Sequence, residues 1–169
     1  MDPTPRRQQR LRAPQIKTWS LLGPPVSWAR DAERGVLLAN PSGRFEVYAF
    51  DAAVRPASLR QVTDRPQGTV GAAISPDGAD VFWFDDQDGD ELGRWRRQPF
   101  AGGDEIMLLG ELSPAYGAGI VTRRGGGAVV GRDVTEGFEV AVAGADGSGR
   151  VVYRSAEHAS LVDADDRVA

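Results

Sequence analysis

At 169 residues, with 41% hydrophobic and 26% charged residues, the chain has the size and balance of one globular domain or part of one. It has no cysteine, which excludes a disulfide frame, a thiolate metal centre and a cysteine nucleophile. Its net charge of −4 is uneven: residues 1–25 set four arginines and Lys17 against Asp2 alone, a local +4, which leaves −8 on the rest.

Residues 1–25 read as a basic, Pro/Arg-rich N-terminal arm. Gln8 to Leu11 has the composition to open a short helix, and Pro14 stops it. No aromatic residues are interleaved with the arginines, so the arm is no platform for nucleic acid. Leu21-Leu22 is the only apolar pair before Pro24-Pro25, against the ~7–15 apolar residues of a secretory signal. No run approaches the ~18 residues of a membrane span. The expectation is a cytoplasmic protein with neither a nucleic-acid nor a membrane partner.

From Val26 onward three segments follow one plan. The first runs Val26–Ala29, Val36–Ala39, Phe45–Phe50 and Arg60–Thr63, punctuated by Gly35 and Ser42-Gly43. The second runs Gly71–Ile74, Val81–Phe84, Leu92–Trp95 and Ile106–Leu109. Its first turn is Pro76-Asp77-Gly78, where proline presets φ, aspartate bonds its own backbone and glycine supplies positive φ. Its second is Asp88-Gly89, a common two-residue hairpin pair. The third runs Ala118–Val121, Ala128–Gly131, Phe138–Val142 and Val151–Tyr153, with turns at Gly125–Gly127, Glu136-Gly137 and Ala145–Gly147.

The spacing makes this a repeat. Phe45, Leu92 and Phe138 open the third strand of each unit, 47 and 46 residues apart; Val62, Leu108 and Tyr153 mark the fourth, 46 and 45 apart. Four short strands every ~40–50 residues is the pattern of propeller blades. The middle strands are continuous apolar runs, as expected of sheets buried on both faces by their neighbours. The fold expected is all-β: a partial β-propeller of about three four-stranded antiparallel blades plus the first strand of a fourth. The domain at 26–169 divides at about 26–66, 67–112, 113–156 and 157–169. Ser160-Leu161-Val162 is that extra strand, with Asp163 to Arg167 at its turn. Such a chain does not close a ring of ~4–8 blades.

Candidate chemistry is sparse. No serine sits in Gly-x-Ser-x-Gly: Ser148, in Asp146-Gly147-Ser148-Gly149-Arg150, has a hairpin context. His158 is the only histidine, either a base or a surface residue at a blade edge, and no triad can be assembled. Asp85 to Glu91 holds five carboxylates but lacks the helix-loop-helix calcium spacing, so it reads as a solvated hairpin tip or a weak chelating loop. Arg124-Gly125-Gly126-Gly127 lacks the lysine and helix of a phosphate loop. Arg94, Arg96 and Arg97 either bind an anion at a propeller mouth or pair with the acidic tips beside them at the surface, where a pair is worth little. Trp28, Trp83 and Trp95 are expected in the interblade core, with stacking against a substrate as the alternative. No catalytic, cofactor or metal residue is assigned.

Gly43–Tyr48, Arg60–Pro66, Phe82–Asp86 and Trp95–Phe100 together resemble the N-terminal β-propeller of the prolyl oligopeptidase family of serine peptidases, closest to its acylaminoacyl-peptidase and dipeptidyl-aminopeptidase type. The resemblance covers roughly residues 19–169. The Ser75-Pro76-Asp77-Gly78 turn alone is shared by many propellers, those of the Tol translocation system included. The resemblance implies a propeller that caps an α/β-hydrolase domain, admits small peptides and needs no cofactor. That hydrolase domain and the peptide substrates would be the partners. On this reading the chain is a non-catalytic segment, with the Ser, Asp and His of the peptidase in a part the sequence does not contain. The alternative is a stand-alone interaction module completed by self-association through open blade edges.

Overall fold

A computed structural model describes residues 27–86 and 88–165. The basic arm expected at 1–25 lies outside the described residues, as do Asp166 and Arg167 of the last expected turn. The described chain is strand after strand, interrupted by one 3-10 turn at Arg124–Gly126.

Four strands, β1 (Ser27–Trp28), β2 (Arg34–Ala39), β3 (Glu46–Asp51) and β4 (Ser58–Gln61), form a sheet in sequence order, each antiparallel to the last. A second meander follows from β5 (Ala72–Ile74), β6 (Asp80–Asp85), β7 (Leu92–Pro99) and β8 (Ile106–Met107). A third comprises β9 (Ala115–Thr122), β10 (Ala128–Val134), β11 (Gly137–Ala143) and β12 (Gly149–Ser155). These are three propeller blades. The second and third are also stitched edge to edge by a short antiparallel ladder, Leu92 opposite Tyr116 and Gly93 opposite Ala115. Two register shifts, between Val130 and Arg132 on β10 and between Val140 and Ala141 on β11, bend the third blade.

Packing follows from the period-2 geometry of a strand. Val81 and Trp83 on β6 join Val36, Leu38, Val47 and Ala49 of the first blade in one core. Their neighbour Phe82 joins Ala128, Val130, Ala141 and Ala143 of the third blade, with Trp95 and Leu108, in another. The middle blade is therefore apolar on both faces, which explains why β6 reads as a continuous apolar run.

The connection from the first blade to the second is tied by Glu46, which has no solvent exposure. Its carboxylate accepts hydrogen bonds from Thr63 Oγ1, from the Arg65 backbone N–H at 2.9 Å and from Thr69 Oγ1 at 3.4 Å. Thr63 Oγ1 also accepts from the Val47 N–H at 2.9 Å. A buried carboxylate needs such partners, and here they come from the segment it holds in place.

Three expectations need correction. Trp28 is 58% exposed and rests edge-on against Phe50, ring centroids 4.6 Å apart, instead of lying buried between blades. Asp88-Gly89 is not a two-residue hairpin, because β6 ends at Asp85 and β7 starts at Leu92. Asp86 braces this wider loop by accepting from the N–H groups of Gly89 at 2.8 Å and Glu91 at 2.9 Å. Ser160–Val162 forms no ladder: Leu161 donates one backbone hydrogen bond to Ala118 at 2.7 Å, and no described strand follows to pair with it.

Candidate functional site

The loops joining the first and second strands of each blade gather at one end of the fold. The Ser75–Asp80 turn forms as its residues dictate: Gly78 takes φ of 70° and its N–H donates to Ser75 O at 2.9 Å, while Asp77 Oδ1 accepts from Ser75 Oγ and from the Ala79 N–H at 3.1 Å. The serine hydrogen bond, more than the Ala79 and Gly125 N–H groups, holds the Asp77 carboxyl below its ordinary value of 3.8. The Asp31 N–H of the first blade donates to Pro76 O at 2.9 Å, and Arg124 of the third pairs with Asp31. Gly125-Gly126 is thus part of an interblade clasp. Gly126 takes φ of 84°, and a Cβ there would stand 2.3 Å from the Arg97 guanidinium.

The innermost strands are tied the same way. Ser27 Oγ accepts from the Ile74 N–H at 3.3 Å, and Thr122 Oγ1 donates to Ile74 O at 2.8 Å. Trp28, Ile74, Ile120, Thr122 and Val162 line a shallow groove of about 250 Å³ along them.

The three arginines around Trp95 have inward partners. Arg96 pairs with Asp85, and Arg97 bonds Asp80 at 2.9 Å. Arg94 donates to the Leu112 carbonyl at 2.8 and 3.2 Å. Arg65 lies 3.8 Å from Asp85 and 2.8 Å from Glu105, which is 3.7 Å from Arg96, so two cations and two carboxylates alternate around a part-buried ring. The pairing reading fits Arg96 and Arg97, whose acids are the two ends of β6 (Asp85 being also the first residue of the acidic run) and whose pairs are largely sheltered; Arg94 takes a carbonyl instead. Burial raises the Asp80 carboxyl above its usual range, against the pull of Arg97.

Ser148 and His158 do not meet. The Ser148 hydroxyl donates to Asp146 Oδ1 at 2.7 Å before β12, and His158 Nδ1 lies 2.5 Å from Asp133 Oδ1 beyond its far end. The seven residues of β12 between them amount to about 23 Å of strand. Trp83 and Trp95 are both buried, at 0% and 8% exposure.

Reading the sequence alone missed a cleft of about 530 Å³ between the second and third blades, at the end opposite the clasp. Val70, Gly71, Phe84, Trp95 and Tyr116 form its apolar wall, and Asp86 and Glu91 stand on its rim. Phe84 and Trp95 meet edge to face, centroids 5.6 Å apart. Gly71 and Gly117 let the backbone close on Phe84, since a Cβ at either would come within 3.2 Å of it. The glycines were legible in the sequence, but nothing there linked residues so far apart.

No family model matches the chain, and no curated protein matches it. Among solved structures the chain is similar to TolB from Acinetobacter baumannii, at 15% identity and a TM-score of 0.58 over 75% of this chain and 30% of that one. It is also similar to a TolB-type protein from Agrobacterium tumefaciens, at 15% identity and a TM-score of 0.57 over 78% of this chain and 50% of that one. The chain thus spans half or less of the length of these structures, and the likeness shows the β-propeller fold. Among the described residues no helix is long and apolar enough to cross a membrane.

Proposed function

We propose that the chain is a non-catalytic propeller segment that works by presenting surfaces, and that its parent is a serine peptidase of the prolyl oligopeptidase type. The observation that carries the first part is the disposition of its polar groups. Arg65, Arg94, Arg96, Arg97, Glu46, Asp80 and Asp85 are spent on holding blades and connections together. Ser148 and His158 stand at opposite ends of β12. The second part rests on the sequence segments Gly43–Tyr48, Arg60–Pro66, Phe82–Asp86 and Trp95–Phe100, which resemble that family's propeller. In such an enzyme this segment filters substrates by size and packs on the hydrolase domain, which performs acyl transfer to serine.

A second reading is favoured by the exposed Trp28 on the first blade: an interaction module completed by a second copy of the chain. Two experiments separate the readings. The purified chain should not turn over aminoacyl or acylaminoacyl chromogenic substrates, and turnover would overturn the non-catalytic assignment. The genomic frame downstream of Ala169 should encode Gly-x-Ser-x-Gly; a stop codon there, together with a discrete homo-oligomer by light scattering, would favour the self-completed module.

A further inference from the structure

We infer that the cleft between the second and third blades is a docking site for an arginine side chain presented by a partner peptide. Among the described residues no basic side chain lines the cleft, while two carboxylates stand on its rim. The nearest cations in sequence are already engaged, Arg65 and Arg96 with Asp85 and Glu105, and Arg94 with the Leu112 carbonyl. The site is therefore electrostatically open to a cation from outside.

The two rim carboxylates differ in role. Asp86 spends its oxygens on the Gly89 and Glu91 N–H groups, and Asp90 accepts from Leu92 N–H at 3.0 Å, so the loop is held from within. Glu91 is held by that loop in the left-handed region, at φ of 67°, where a non-glycine residue is uncommon. Its carboxylate has no hydrogen-bond or ion-pair partner among the described residues. It is an exposed carboxylate, without a partner among the described residues, at the mouth of an apolar cleft.

The wall favours guanidinium over ammonium. Tyr116 is 47% exposed and lines the cleft beside Phe84 and Trp95. A planar guanidinium stacks on an aromatic ring, forks to a carboxylate and gives up its hydration more readily than an ammonium does. Val70, largely exposed on the same wall, offers apolar surface to the methylene stem.

The test titrates the isotope-labelled full chain with acetyl-Gly-Arg-Gly-amide at low salt, following backbone amide shifts. The expected result is saturable shifts at Gly71, Gly89, Glu91, Tyr116 and Gly117. The lysine analogue should bind at least threefold more weakly, and the glutamine analogue should leave the spectrum unchanged. Glu91→Gln and Tyr116→Ala, both at exposed positions, should each weaken binding at least fivefold while the remaining amide spectrum stays folded. Shifts scattered over the surface, equal binding of the glutamine peptide, or no loss in either variant would overturn the assignment. Replacing Arg6, Arg7, Arg10 and Arg12 by glutamine should leave the affinity within twofold. A tenfold gain would mean that the chain's own arm fills the cleft, which would overturn the assignment to a partner.

Discussion

Phe82 and Trp83 are adjacent on β6 and enter two different cores, Phe82 with the third blade and Trp83 with the first, each with no solvent exposure. One strand thus ties three sheets together. Truncating either residue to alanine removes a large aromatic ring from a closed interface and should cost about 3–5 kcal/mol. Urea unfolding of Phe82→Ala and Trp83→Ala measures both. A loss of less than 1 kcal/mol in either would show that its interface is not packed.

Glu46 carries a different kind of burden, since its partners are polar and local. Glu46→Ala leaves Thr63 Oγ1 and the Arg65 N–H without their acceptor, and should destabilise by about 2–4 kcal/mol. Glu46→Leu fills the space but leaves the same donors unpaired, so it should rescue little. Denaturant midpoints of the two variants make the comparison.

Acid should weaken the clasp between blades with a sign set by Asp77. Its carboxyl is lowered in the fold, chiefly by Ser75, so its contribution is present above the ordinary value of 3.8 and is lost as pH falls below that through the folded value. Asp80 runs the other way: burial raises its pKa, so its ionised form costs stability near neutrality. That cost is relieved as pH falls through the raised value towards 3.8. Stability curves at pH 7, 4 and 3 should show Asp77→Asn losing less than the parent between pH 4 and 3. An unchanged acid limb would contradict the assignment.

Glycine decides how the segment after β12 lies against the third blade. Gly119 takes φ of 107°, and a Cβ there would stand 2.2 Å from Leu161 O; a Cβ on Gly131 would stand 2.8 Å from the Leu161 Cβ. Gly119→Ala should release the Leu161 N–H from Ala118 O and raise its hydrogen-exchange rate at least tenfold, with little change at β10. Unaltered exchange at Leu161 would show that the contact does not depend on that glycine.

Much of the architecture was legible because it lies in local patterns. β6 is carried by the unbroken apolar run Val81–Phe84, β11 by a run broken only by Glu139, and the Ser75–Asp80 turn by proline, aspartate and glycine at the positions such a turn demands. What escaped depends on which face has a neighbour. Trp28 has the same intrinsic preference for burial as Trp83, but only Trp83 stands between two described sheets. The Asp88-Gly89 pair was outvoted by Asp86, whose side chain offered the loop a wider closure. The cleft was invisible because Val70, Phe84, Glu91 and Tyr116 converge only when two blades meet.

The stacking of blades on both sides of β6 is most directly tested by through-space NMR contacts between side chains. The account predicts cross-peaks from the Trp83 indole to methyl groups of Val36, Leu38 or Val47, and from the Phe82 ring to methyl groups of Val130 or Ala141. Both rings contacting the same blade, or neither contacting any, would contradict it.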